Sequence, residues 1–251
     1  MIEEATTPPT QLTLQPYPDL PLTMTDSGQG RPVLVLHGGA GTASMTAIVQ
    51  HLAATRRVLA PTHPGWDATP RLDWFAGVSI LTETYPDLLD EFDLRDVAVI
   101  GSSFGGWVAS ELTLRDRGRR VSQLVLLDAI GPENPGHRVQ APTGGPGGDA
   151  APSASPRTGP PPGNMEALRA YADPALLDPA LLHRLGHVKI PTLVVWGEHD
   201  TVVTPDFWRA YAAAFANARF ELILGAGHIP TREAPEATLA VIDSFLAEAH
   251  S

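Results

Sequence analysis

Cysteine is absent from the 251 residues, which excludes disulfides, thiolate catalysis and zinc sites built on Cys. Basic residues are few, and the net charge of −11 includes no basic run, so a nucleic-acid partner is not expected. No apolar stretch approaches the roughly 18 residues of a membrane span. The acidic start, MIEEA, lacks the apolar core of a signal peptide. We therefore expect a cytoplasmic protein without a membrane partner.

Hydrophobic residues make up 43% of the chain and charged residues 18%, which is enough apolar material for one large domain. Short apolar runs bounded by turn residues alternate with segments of helical spacing, a pattern typical of βαβ units. We predict an α/β fold with a mostly parallel sheet and helices on both faces. The predicted strands are 32–36, 57–61, 97–100, 124–127, 192–196 and 220–224. The predicted helices are 42–54, 80–92, 104–116, 205–216 and 234–247.

Residues 131–189 interrupt this alternation, and we predict no strand within them. Their first part, 141–163, is almost wholly Gly, Pro, Ala and Ser and cannot bury much apolar surface. Their second part, 164–185, has leucines spaced as in one or two short helices. We interpret 131–189 as a lid inserted between two core segments, 1–130 and 190–251. The alternative is a solvated linker followed by a packing helix.

Residues 101–105, GSSFG, match G-x-S-x-G between a predicted buried strand and a helix. A sharp strand-to-helix turn exposes the hydroxyl of its central serine, and the helix N-terminus adds positive potential beside it. The spacing assigns Ser103 rather than Ser102 to the turn. We predict that Ser103 is a nucleophile.

A serine nucleophile needs a histidine base that a third group orients, and the chain order in this fold is Ser, acid, His. His228 follows a predicted strand in a loop at the sheet edge where the serine lies, whereas the comparable loop of His199 also carries Asp200. We predict His228 as the base and Asp200 as the acid. Glu198, in the same turn, and Asp128, at the end of strand 124–127, remain alternative acids.

An oxyanion hole requires two backbone N–H donors. The N–H of Phe104 follows the nucleophile directly, and Gly39 in the glycine-rich turn HGGAG (37–41) is the other predicted donor. His37 in this turn is interpreted as a buried histidine that bridges loops. The predicted substrate-binding residues are Gly38, Trp66, Trp107 and Ile229, although Trp66 in the turn HPGW (63–66) equally suits turn packing.

Four motifs follow one another along the chain: HGGAG, GSSFGG (101–106), GEHD (197–200) and GHIPTREAPE (227–236). In this order the chain resembles the α/β-hydrolase superfamily, particularly its single-domain bacterial esterase-like group, over about residues 20–250. The resemblance implies an acyl-serine mechanism. A Ser nucleophile rather than Asp argues against the dehalogenase and epoxide-hydrolase branches of this superfamily. Ile229 follows the histidine where many ring-cleavage carbon–carbon hydrolases carry Trp, and the Gly/Pro-rich insertion replaces much of the usual helical cap.

The leading hypothesis is hydrolysis of a carboxylic ester, thioester or lactone of a small to medium, partly apolar substrate. The same three residues can also serve a carbon–carbon bond hydrolase or a lyase. A non-catalytic small-molecule receptor is the third hypothesis. The sequence has no H-E-x-x-H, and HGGAG is not G-x-G-x-x-G, so neither a metal nor a dinucleotide cofactor is expected. We expect a monomer or a homodimer.

Overall fold

A computed structural model describes residues 9–134, 139, 161–172, 176–203 and 205–248. Most of the Gly/Pro-rich stretch predicted at 141–163 lies outside these residues, and its arrangement stays a prediction. Within the described residues no helix is long and apolar enough to cross a membrane.

An eight-stranded sheet forms the centre of the molecule, in the order β1-β2-β4-β3-β5-β6-β9-β10. Strands β3 to β6, β9 and β10 run parallel, and β1 and β2 add an antiparallel edge. The strands are β1 (Thr10–Tyr17), β2 (Leu20–Ser27), β3 (Pro32–Leu36), β4 (Arg57–Pro61), β5 (Val97–Ser102), β6 (Val121–Leu127), β9 (Thr192–Gly197) and β10 (Ala218–Ile223). All six predicted strands are confirmed, and the mostly parallel sheet with them.

Helices cover both faces of the sheet. They are α1 (Thr46–Ala53), α2 (Val78–Glu91), α3 (Phe104–Asp116), α4 (Pro162–Ala172), α5 (Leu181–Leu185), α6 (Pro205–Ala214), α7 (Pro230–Glu233) and α8 (Pro235–Glu248). The single helix predicted at 42–54 begins as a 3₁₀ turn at Thr42–Met45. The helix predicted from 234 starts one residue later, because Ala234 precedes Pro235 and leaves the α-helical region (φ −141°, ψ 63°).

Burial on both faces explains the continuous apolar runs of the central strands. In β5, Val97 and Val99 contribute to the hydrophobic cluster on one face of the sheet, whereas Ala98 and Ile100 contribute to the cluster on the other. Strand β3 alternates in the same way. The two clusters fix the sheet between its helical layers, so the loops at the carboxyl ends of the strands start from a rigid base.

The prediction that 131–189 contains no strand was wrong. Gly131–Pro132 (β7) and Leu177–Asp178 (β8) form a two-residue parallel pair, too short to leave an apolar pattern in the sequence. The predicted helices are present as α4 and α5. Helix α4 packs on the loops after β3 and β4, where the Tyr171 hydroxyl donates to the Pro64 carbonyl at 3.0 Å.

Candidate active site

Ser103 occupies a strained turn between β5 and α3. Its backbone has φ 51° and ψ −117°, a region that side-chain-bearing residues rarely adopt. The turn also requires glycine on either side. A Cβ at Gly101 would lie 2.3 Å from the Gly105 carbonyl oxygen, and a Cβ at Gly105 would lie 2.2 Å from the Leu36 carbonyl oxygen. The G-x-S-x-G spacing therefore follows from close backbone packing.

Three side chains converge at the carboxyl edge of the sheet. The Nε2 atom of His228 lies 3.0 Å from the Ser103 hydroxyl, and its Nδ1 atom lies 3.0 Å from Oδ2 of Asp200. The Asp200 side chain is 1% exposed and that of His228 18%. Ser103 itself is half-buried, so part of the residue is open to solvent. This arrangement allows proton transfer from the hydroxyl to a histidine that a carboxylate orients.

Backbone donors fix one oxygen of the Asp200 side chain. Its Oδ1 atom accepts the N–H groups of Val202 at 2.7 Å and Val203 at 3.4 Å, which leaves Oδ2 for the histidine. The alternative acids bind elsewhere. Glu198 accepts the N–H of Gly225 at 2.9 Å, and Asp128 accepts the N–H of Gly197 at 2.9 Å.

The glycine-rich loop after β3 packs closely against Ser103. A Cβ at Gly38 would lie 2.9 Å from the Ser103 Cβ atom and 2.9 Å from the Ser102 carbonyl oxygen. Within the described residues, neither the Gly39 N–H nor the Phe104 N–H donates to a protein acceptor. Two N–H groups beside the serine are therefore available to an incoming oxygen. Their role as an oxyanion hole stays a prediction.

Trp66 supports this loop from behind. Its indole N–H donates to the Gly39 carbonyl at 3.2 Å, which fixes the orientation of the peptide that follows Gly39. The ring is fully buried and stacks between Phe104 and Tyr171, with ring centroids 5.5 and 5.6 Å apart. The structure thus places Trp66 in turn packing, and direct substrate contact by Trp66 stays a prediction.

His37 and His63 form a buried neutral pair beneath the loop. The His63 N–H donates to Nε2 of His37 at 3.0 Å, and Nε2 of His63 lies 3.0 Å from the His37 carbonyl oxygen. Burial lowers the pKa of His37 from 6.5 to about 4, and burial also holds the pKa of His63 well below its usual value. His37 bridges the loops after β3 and β4, as its sequence position suggests.

The other predicted substrate residues lie at different depths. Gly38 is buried against Ser103, and Ile229 is half-buried next to His228. Trp107 lines a cavity of about 420 Å³ beside α3, together with Tyr171 and Leu177. Helix α4 contributes Leu168, whose Cδ2 atom lies 3.4 Å from the position of a Cβ on Gly39. Apolar side chains therefore surround the loop that holds the predicted oxyanion donors.

The sequence reasoning missed Glu233. Its carboxylate accepts the Gly227 N–H at 2.8 Å and the Ile229 N–H at 3.1 Å, so it braces the loop on both sides of His228. The motif GHIPTREAPE contains this glutamate. An acid five residues after a loop histidine, at the C-terminal end of the four-residue helix α7, was the available signal.

Asp128, Asp200 and His228 are the one group of acids and histidines in the described residues whose ligand atoms lie close enough, within 4.8 Å, to share a cation. In neutral histidine one ring nitrogen donates and the other accepts. Asp200 and Ser103 already occupy both nitrogens of His228. The contacts thus suit proton transfer within the triad rather than metal coordination.

The comparisons with known proteins agree with this fold. The family model described as the alpha/beta hydrolase family matches residues 33–241. The chain is 32% identical over 111 residues to 2-hydroxymuconate semialdehyde hydrolase of Pseudomonas sp. (strain CF600), covering 42% of this chain and 39% of that protein. It spans about two fifths of the length of the first two curated relatives it matches.

Two further similarities extend over nearly the whole chain. A 2-hydroxy-6-oxononadienedioate/2-hydroxy-6-oxononatrienedioate hydrolase of Paraburkholderia xenovorans (strain LB400) is 27% identical, with 91% of each chain covered. A thermophilic esterase from Thermogutta terrifontis superimposes with a TM-score of 0.76 at 22% identity, covering 98% of this chain and 100% of that structure. The strained serine turn, the sheet order and the family match together assign the chain to the α/β-hydrolase family.

Proposed function

We propose that the protein is a serine hydrolase that cleaves a carboxylic ester, thioester or lactone through an acyl-serine intermediate. The observation that carries the proposal is the continuous line of contacts from the Ser103 hydroxyl through His228 to Asp200, with 3.0 Å at each step. This geometry supports a nucleophile, a base and an orienting acid in those three positions.

The proposed reaction has two halves. His228 takes the proton of Ser103 as the hydroxyl oxygen attacks the substrate carbonyl carbon, and the N–H groups of Gly39 and Phe104 bind the resulting oxyanion. Protonated His228 then gives its proton to the departing alcohol, and the acyl-serine forms. Water, deprotonated by His228, then attacks the acyl carbonyl carbon, and His228 returns the proton to the Ser103 oxygen as the acid leaves. Asp200 stays ionised throughout and stabilises the imidazolium ion.

The side chains around the oxyanion loop favour a partly apolar substrate. Trp66, Phe104 and Leu168 pack next to Gly39. Because Trp66 and Phe104 are fully buried, they support the loop from behind. Half-buried Ile229 and the cavity residue Trp107 are the proposed contacts for an acyl or alcohol group of modest size, with the backbone N–H groups providing polar recognition. We propose the natural substrate only as a chemical class, a partly apolar carboxylic ester, thioester or lactone.

Carbon–carbon bond hydrolysis is the second candidate. The names of two curated relatives support it, because neither 2-hydroxymuconate semialdehyde nor 2-hydroxy-6-oxononadienedioate contains an ester bond for a hydrolase to cleave. Ile229 beside His228, in place of the Trp common in that group, favours ester hydrolysis instead. Product analysis on a simple ester and on a β-diketone separates the two. Faster turnover of the diketone, with both acid and ketone products, would replace the ester proposal.

Covalent labelling tests the nucleophile directly. A fluorophosphonate probe should label the wild-type protein, and p-nitrophenyl acetate should be hydrolysed, while Ser103→Ala shows neither. Ser102→Ala is the matched control and should retain labelling. Absent labelling and turnover in a folded wild-type protein, with small-molecule binding that survives Ser103→Ala, would instead support a non-catalytic receptor.

A further inference from the structure

Asp128 is a buried acid that the proposed reaction does not use. It follows β6, is 0% exposed, and has a left-handed backbone at φ 44°. Its backbone N–H donates to the Val195 carbonyl at 3.0 Å, and its Oδ1 atom accepts the Gly197 N–H at 2.9 Å. These two bonds tie Asp128 to β9, the strand that leads to Asp200.

The second oxygen of Asp128 has no such donor. Its Oδ2 atom is buried and receives no N–H or hydroxyl group within the described part of the chain. One carboxylate oxygen of Asp128, one of Asp200 and one ring nitrogen of His228 all lie within 4.8 Å of one another. Two carboxylates this close inside a protein cannot both remain ionised, so one of them keeps a proton.

The hydrogen-bond donors decide which carboxyl group is neutral. Asp200 accepts the N–H groups of Val202 and Val203 and the Nδ1–H of His228, whereas Asp128 accepts only that of Gly197. Three donors stabilise the Asp200 anion more than one stabilises Asp128.

The titratable groups that act on Asp128 agree with this. The pKa of Asp128 is raised well above its usual value, most strongly by burial and next by the negative charge of Asp200. The charge of Glu233 in α7 adds to this shift. The Gly197 N–H opposes this shift and is outweighed.

We propose that Asp128 is a positioning residue whose neutral carboxyl group donates its O–H to Asp200 while Gly197 anchors its other oxygen. In this arrangement Asp128 fixes the Asp200 carboxylate so that one oxygen faces His228. It also withdraws part of the negative charge from Asp200 and so weakens the electrostatic interaction of Asp200 with a positive charge that forms on His228 during the reaction. The inference rests on the proposed triad, although the protonation state of Asp128 is independent of turnover.

Two substitutions separate this role from simple packing. Asp128→Asn keeps a donor toward Asp200 and an acceptor for Gly197, so kcat should stay within about 3-fold of wild type and the acid limb of the pH–rate profile should not move. Asp128→Leu keeps the branched shape and the number of side-chain heavy atoms but makes neither contact. Its kcat should fall about 100-fold with little change in KM, because the His228–Asp200 pair loses its alignment, and its acid limb should shift.

Two outcomes would contradict this role of Asp128. If Asp128→Asn loses as much activity as Asp200→Asn, then Asp128 acts as an ionised acid and the inference fails. It also fails if Asp128→Leu, folded by circular dichroism, keeps the wild-type kcat and pH profile.

An infrared measurement covers the case in which no substrate is turned over. The difference spectrum of wild type minus Asp128→Asn at neutral pH should contain the C=O stretch of a protonated carboxylic acid. Without that band, the neutral Asp128 carboxyl is refuted whatever the activity. With that band and without fluorophosphonate labelling of wild type, only the proposed function fails.

Discussion

Gly105→Ala tests whether close backbone packing aligns the nucleophile with the oxyanion loop. The new Cβ would lie 2.2 Å from the Leu36 carbonyl oxygen and 2.5 Å from that of His37. Because non-bonded carbon and oxygen atoms rarely approach within 3.0 Å, one of the two backbones must move by about 1 Å. Overpacking of this kind costs about 1–3 kcal/mol of unfolding free energy. For a chain of this size, that corresponds to a fall in Tm of roughly 2–12 °C.

The functional effect should be larger than the loss of stability. Leu36 and His37 lead directly into Gly39, so a shift of about 1 Å displaces one predicted oxyanion donor from the other and should lower kcat/KM on p-nitrophenyl acetate about 100-fold. The matched control is Gly186→Ala, at φ −61° with the nearest atom 3.8 Å from the new Cβ. It should keep full activity and gain about 0.4–1 kcal/mol. A Gly105→Ala protein with wild-type kcat/KM and Tm would refute the packing argument.

Further substitutions test the other groups. His228→Ala should lower kcat on the order of 10⁶-fold and Asp200→Ala on the order of 10⁴-fold; full activity in Asp200→Ala would exclude it as the acid. Glu233→Ala should lower kcat roughly 10-fold because two N–H groups beside the histidine lose their acceptor, while exposed Glu236→Ala should not. As pH falls from 6.5 to 4, His37 gains a proton in the unfolded state but stays largely neutral in the folded protein. The free energy of unfolding measured with urea should therefore fall by about 3 kcal/mol more in wild type than in His37→Gln over this pH range. Parallel pH curves for the two proteins would contradict this.

The sequence predicts the central strands well because each is a continuous apolar run buried on both faces. The antiparallel edge is different. In β2, buried Leu20, Leu22 and Met24 alternate with half-buried residues, and Pro21 lies among them, so a single run is not visible. The β7–β8 pair has two residues in each strand, and its pairing depends on tertiary contacts that no local pattern records.

The candidate site also has one part that the sequence predicts well and one part that it does not. The turn around Ser103 has a fixed spacing because neighbouring backbones meet there, and that spacing is visible in the sequence. The sequence favours Asp200 over Asp128 but does not decide between them, since both follow parallel strands that pair as neighbours. Side-chain direction separates them: Asp200 faces His228, and Asp128 faces the N–H of Gly197.

The insertion leaves the sheet after β6 and returns at β9, and these two strands pair directly with each other. The sheet is therefore continuous from β6 to β9 without any residue from the insertion. We therefore expect the segment to tolerate changes of length that keep the β6–β9 pairing and the core contacts of Leu181, Leu185 and Val188. We expect such changes to alter the surroundings of Gly39, which Leu168 of α4 approaches, more than the contacts among Ser103, His228 and Asp200.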